Sequence, residues 1–187
     1  MDNRKTSFKN ATELLTFLQK EGFRVGVPID LDKIVSLLGI AIKMDASLEE
    51  RDVVGEIYFD SGRAVIGINP IQNSYSPRKR FTLAHELGHY CLHSVEDGNV
   101  FVDSRRTMSR TESYWDSYES QANGFAAQLL MPKPLILKEG RKIIDEYKEK
   151  NDTEGMPMDD FISELSSRFV VSSKAMEYRL KNLKIIK

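Results

Sequence analysis

Apolar residues recur at helical spacing near the start of the chain: Leu14, Leu15, Leu18 and Phe23 within NATELLTFLQKEGF, with Gly22 at its end. Intervals of three and four predict an amphipathic helix, and the glycine predicts its stop. PIDLDKIVSLLGI predicts a second helix, with Leu31, Ile34, Val35, Leu37 and Leu38 apolar and Gly39 closing it. The period then changes. IAIKM, VVGEIYF and AVIGIN are short β-rich runs, the last two joined by DSGR, which predicts a hairpin. Helical spacing returns in NSYSPRKRFTLAHELGHYCLH, where Ser76 is the expected N-cap and Pro77 the first helical residue.

Residues 94–113 are polar, carry Gly98 and lack a clean period, so a mobile loop is expected there. DSYESQANGFAAQLLMP predicts a helix ended by Pro132, and KPLILKEGRKIIDEYKEK another. The NDTEGMPM stretch is a linker into two short helices around Val170, Val171 and Ser172. The order of helices, strands and helices predicts an α+β fold with a small antiparallel three-stranded sheet. Residues 1–150 form the main unit, and 151–187 a helical pair packed on it.

Composition narrows the function classes. A net charge of -1 over 187 residues gives no broad attraction for nucleic acid or anionic membrane. A single cysteine, Cys91, excludes an internal disulfide framework. No apolar run at the N-terminus or elsewhere reaches signal-peptide or membrane-spanning character, and the cytoplasm is the expected location.

All three histidines, His85, His89 and His93, fall within FTLAHELGHYCLH. Residues four apart on a helix differ by only about 40° around its axis, so His85 and His89 can face one metal ion. Glu86 sits on the flank of that face, where it can reach a water at the metal without being a ligand. Two nitrogen donors fit zinc, with a third protein ligand and an open position. His93 lies about 12 Å of rise from His85, too far for all three to share an ion, and is expected to serve the helix end. Cys91 points about 200° away from His89 and is expected to be a buried small side chain.

The third ligand is therefore expected to be a carboxylate on a following helix. Glu112, Asp116 and Glu119 are spaced by four and three and can share one face, so spacing leaves the choice open. The surroundings favour Glu119: Ala122 and Ala126 form a small-residue face that can press against Gly88. A surface carboxylate is the weaker alternative.

RFTLAHELGHYCLH followed by ESQANGFAAQLLMP resembles the ImmA/IrrE family of zinc metallopeptidases, and the similarity extends from IDLDKIVSLLGI to FVVSSKAMEYRLKNL. The resemblance implies a zincin-like active-site helix, with His85, His89 and Glu119 as zinc ligands and Glu86 as general base and acid. Manganese is a possible substitute for zinc. It also implies a partner: such proteins cleave helix-turn-helix repressors of mobile elements or stress responses. A rival within the same resemblance is a zinc-containing regulator that binds a repressor or antitoxin without cleaving it, although zinc binding alone does not need Glu86.

Two further expectations concern substrate handling. Tyr75, Tyr90, Tyr114, Tyr118 and Arg80 are candidate oxyanion donors, and AVIGIN is the expected edge for an extended substrate. The C-terminal pair has a helix-turn-helix cadence, with Lys174 and Arg179 on its second helix. Residues 158–187 hold six Lys/Arg against four Asp/Glu, a thin excess for phosphate contacts. Packing on the main unit, or shaping a repressor-binding surface, is expected rather than direct DNA binding.

Overall fold

A computed structural model describes residues 7–93, 101–104, 115–153 and 155–187, with backbone alone at 101–104, 115 and 116. The first helix, α1 (Ala11–Lys20), begins where the Asn10 side chain accepts the Glu13 N–H at 3.0 Å. The second, α2 (Leu31–Leu37), begins where Asp30 accepts from Lys33 at 2.9 Å. Both caps satisfy amides that the first helical turn leaves unpaired. Strand β1 (Ala41–Met44), a 3-10 helix (Ala46–Arg51), β2 (Val53–Asp60) and β3 (Arg63–Ile68) follow. The long α3 (Ser76–Leu92), β4 (Phe101–Ser104), α4 (Trp115–Leu130), α5 (Lys133–Asn151), α6 (Met158–Phe169) and α7 (Ser173–Asn182) complete the order.

The α+β class holds, but the sheet differs from the expected antiparallel three strands. It has four strands in the order β1-β3-β2-β4. The β2–β3 hairpin is antiparallel, and its turn places Ser61 and Gly62 at φ 50° and 79°, the doubly left-handed turn that matches strand twist. β1 pairs with β3 in parallel, Ala41 opposite Val65 and Met44 opposite Ile68. The 3-10 helix carries the chain between β1 and β2, and β1 joins the side of β3 that the hairpin leaves open. Alternation along a strand reports which face is buried, not which neighbour pairs with it.

β4 is the fourth strand, antiparallel to β2 with Ile57 opposite Phe101. It lies inside the stretch expected as a loop; the remainder of 94–113 is outside the described residues. Because β3 is flanked by β1 and β2, it is not the edge available to a substrate. The start of α3 is one residue earlier than expected: Tyr75 is the cap, without a side-chain hydrogen bond, and Ser76 is already helical.

The buried apolar residues form one cluster running from Leu14 and Leu18 of α1 through Ile57 and Ile66 of the sheet to Leu129 and Ile143. Leu165, Phe169, Met176 and Leu180 of α6 and α7 belong to the same cluster and are fully buried. Arg168 of α6 reaches Glu139 and Glu146 on α5 and Glu164 on its own helix. The Arg179 Nε donates to the Met131 carbonyl at 3.1 Å. The C-terminal pair therefore packs on the rest of the chain through both core and polar contacts. Among the described residues, no helix is long and apolar enough to cross a membrane.

Candidate metal centre

The middle of α3 is buried on all sides: Thr82 to His89 is an unbroken buried run. It includes His85, Glu86 and His89, the glutamate with no exposed surface at all. Acidic residues are almost never fully buried without a partner or a task, so this segment stands out from the rest of the core. Glycine explains how a second helix comes so close. A side-chain carbon at Gly88 would stand 3.1 Å from both Cα and O of Ala122, and 3.3 Å from the Phe125 Cβ. The small residues at 88 and 122 thus let α4 press directly on α3, as the Gly88 and Ala122 pattern predicts.

That contact delivers Glu119. Its carboxylate oxygens lie 3.2 Å from the His85 Nε2 and 3.3 Å from the His89 Nε2, and the two Nε2 atoms are 2.9 Å apart. Ligands at about 2.0–2.1 Å in a tetrahedron around zinc would be separated by about 3.3 Å. The three residues, with donor atoms all within 4.8 Å of one another, could hold a metal ion, and their spacing and chemistry fit zinc. Burial alone would raise the Glu119 carboxyl, but hydrogen bonds with His85 and His89 outweigh it and hold the group well below the usual carboxylate range. Of the other carboxylates considered, Glu112 and the Asp116 side chain lie outside the described residues.

The outer nitrogens of both rings are also held. The His85 Nδ1 lies 3.1 Å from the Asn123 Oδ1; since an amide oxygen only accepts, Nδ1 carries the proton and Nε2 keeps its lone pair for the centre. The His89 Nδ1 lies 3.0 Å from the His93 Nδ1. His93 does cap the end of α3, as expected of a helix-end residue. Its side chain, however, turns back to His89 and meets the Tyr118 ring edge-on at 4.5 Å, rather than serving carbonyls. Burial first, and then the neighbouring His89, push His93 down to about 4. Its ring is therefore neutral and able to accept a proton bond at ordinary pH.

Glu86 lies against β2. A side-chain carbon at Gly55 would come within 2.6 Å of the Glu86 Oε1 and 2.7 Å of the Thr82 Cγ2. The register of β2 over α3 is tied by Asn73, whose amide donates to the Val54 carbonyl at 2.9 Å and whose Oδ1 accepts the Thr82 hydroxyl at 2.7 Å. Gly55 and Asn73 carry no signal in the sequence that marks them as parts of a site, whereas Asn123 falls within the ESQANGFAAQLLMP motif without its role behind His85 being legible there. Among the oxyanion candidates, Arg80 is bonded to the Ile29 carbonyl, Tyr118 sits beside His93, and Tyr114 lies outside the described residues. Cys91 is fully buried, and burial raises its thiol, which makes it an inert core side chain.

A mixed sheet under a buried HExxH helix, with a glutamate from the next helix completing the donor set, is the arrangement of zinc metallopeptidases, and the cluster fits that class. The profile of Peptidase M78, the IrrE N-terminal-like domain, matches residues 42–181. The chain belongs to that family. No curated protein shows significant similarity to the sequence.

Proposed function

We propose that the chain is a zinc-dependent endopeptidase, with His85, His89 and Glu119 as the ligands and Glu86 as the proton carrier. The observation that carries this reading is a fully buried carboxylate, Glu86, adjoining a three-residue cluster suited to zinc. A ligand-only site would have no use for it. When bound, zinc supplies Lewis-acid polarisation of a peptide carbonyl and a neutral-pH source of nucleophilic water, and manganese can stand in for it. Glu86 takes the proton from the attacking water and returns it to the leaving amine. Gly55 leaves the Glu86 carboxylate its room, while Asn123 and His93 hold the imidazoles in the tautomers that present Nε2.

The substrate we propose is a helix-turn-helix repressor, which places the activity in the cytoplasm. An extended segment of it would add to β4, whose outer edge is unpaired among the described residues and whose Asp103 is opposite Gly55. Half of the six cations of the C-terminal pair, Arg168, Lys174 and Lys181, are engaged with carboxylates, and the thin charge excess of this segment disfavours a DNA-binding role. The test is incubation of the zinc-loaded chain with helix-turn-helix repressors from the same genome, followed by intact-mass detection. Two fragments whose masses sum to the repressor plus one water support the proposal. A stable, uncleaved complex would instead support a regulator that inhibits by binding.

Two variants probe the supporting residues. Gly55→Ala must displace the Glu86 carboxylate, and misplacement by about 1 Å costs on the order of 100-fold in rate. Zinc affinity should be unchanged, as measured by chelator competition. His93→Ala removes the acceptor behind His89, and zinc affinity is expected to fall by about 10–100-fold. A thermal midpoint that moves while zinc affinity stays constant would reduce His93 to a packing residue.

A further inference from the structure

Beside the candidate metal centre, a cavity of about 830 Å³ opens between α3, α4 and α7. It borders that centre: Thr82 and Asn123 line it, and Asn123 is the residue that holds the His85 ring. Its volume falls within the ~300–1,000 Å³ of ordinary ligand pockets, enough for a short peptide segment. Phe81, Ala127, Met131, Val171 and Tyr178 make its walls largely apolar.

Charge is distributed one-sidedly around it. Arg78, Lys174 and Arg179 line the cavity, and among the described residues no carboxylate does. Lys174 is shared with Glu177 at 3.3 Å and lies 4.8 Å from the centre of the Tyr178 ring. Arg78 and Arg179 have no ion pair among the described residues. Arg179 is anchored through its Nε to the Met131 carbonyl, which leaves its two terminal nitrogens as a fork suited to a carboxylate. Burial works against its charge, and no acidic side chain among the described residues offsets it. A simple packing gap between helices would not need to collect cations without acids.

We propose that this cavity is a specificity subsite that takes a substrate segment pairing a large apolar side chain with an adjacent carboxylate, the apolar group between Phe81 and Met131 and the carboxylate on Arg179 and Arg78. The inference rests on the peptidase reading and gives the C-terminal helices a role in it, since α7 supplies one wall. Bonds near acidic-apolar pairs would be cleaved in preference to others.

The probes are acetyl-Asp-Leu-amide, acetyl-Asn-Leu-amide and acetyl-Asp-Ala-amide, titrated into the full zinc-loaded chain carrying labelled methionine methyl groups. The expected result is saturable movement of the Met131 signal by the Asp-Leu probe, with the other two binding about tenfold or more weakly. Ala175→Phe, which intrudes on the cavity, and Arg179→Gln should each weaken the Asp-Leu probe by a similar factor while zinc affinity stays constant. Equal binding of all three probes, or a Met131 signal that none of them moves, would overturn the proposal without requiring any variant to fold. Cleavage is scored separately. Probe binding by a chain that cuts no protein would sink the peptidase reading alone, whereas cleavage indifferent to Asp-Leu pairs and to Ala175→Phe would sink the subsite alone.

Discussion

Glu86→Gln is expected to keep zinc and lose peptide cleavage. The substitution preserves the size and shape of a side chain that has no exposed surface, so the helix and the His85, His89 and Glu119 cluster should remain in place. An amide cannot take up a proton from water at neutral pH, and removing a positioned proton carrier lowers rates by about 100- to 10,000-fold. Metal content measured on the purified variant should match the parent. Cleavage within a few-fold of the parental rate would falsify the role assigned to Glu86. Loss of zinc together with activity would mean instead that the carboxylate helps to hold the metal.

Phe169→Ala carries the largest expected effect on folding. Phe169, at the end of α6, is fully buried and lies in the same apolar cluster as the sheet and α3 to α5. Truncating such a ring destabilises by about 3–5 kcal/mol, a large share of the roughly 5–15 kcal/mol by which a domain is stable. If α6 and α7 are part of one cooperative unit, urea unfolding should remain a single transition, shifted as a whole, with zinc retention falling alongside it. A new early transition, with the metal centre unaffected, would show that residues 151–187 fold as an independent appendage. The two results separate a shared core from a domain that merely leans on its neighbour.

The parts of the centre differ in how far they can be read from residue order. His85, Glu86 and His89 lie within one helical turn, and their relative directions follow from helix geometry. Glu119 was narrower than a guess but short of a derivation. The Ala122 and Gly88 pairing favours it, yet Glu112 and Asp116 share its spacing, and only the approach of α4 to α3 brings Glu119 within 3.2 Å of His85. His93 shows what spacing leaves out. Its distance from His85 excludes it as a common ligand, but the same spacing that joins His85 to His89 also joins His89 to His93. The second link becomes a bond between outer nitrogens rather than a third donor.

Helix periods, the hairpin turn and the HExxH turn were determined by the sequence alone, because each depends on contacts between residues close along the chain. The α+β class follows from their order. Tertiary structure decided the parallel pairing of β1 with β3, the addition of β4 to β2, and the internal place of β3. It also decided that Gly55 borders Glu86, that Asn123 stands behind His85, and that α7 closes a cationic cavity beside them. Each of these joins segments distant in the chain, and such contacts depend on how whole faces pack rather than on any local spacing. Residue order could name His85 and His89 and favour Glu119, but only the packing of α4 on α3 could bring the three together.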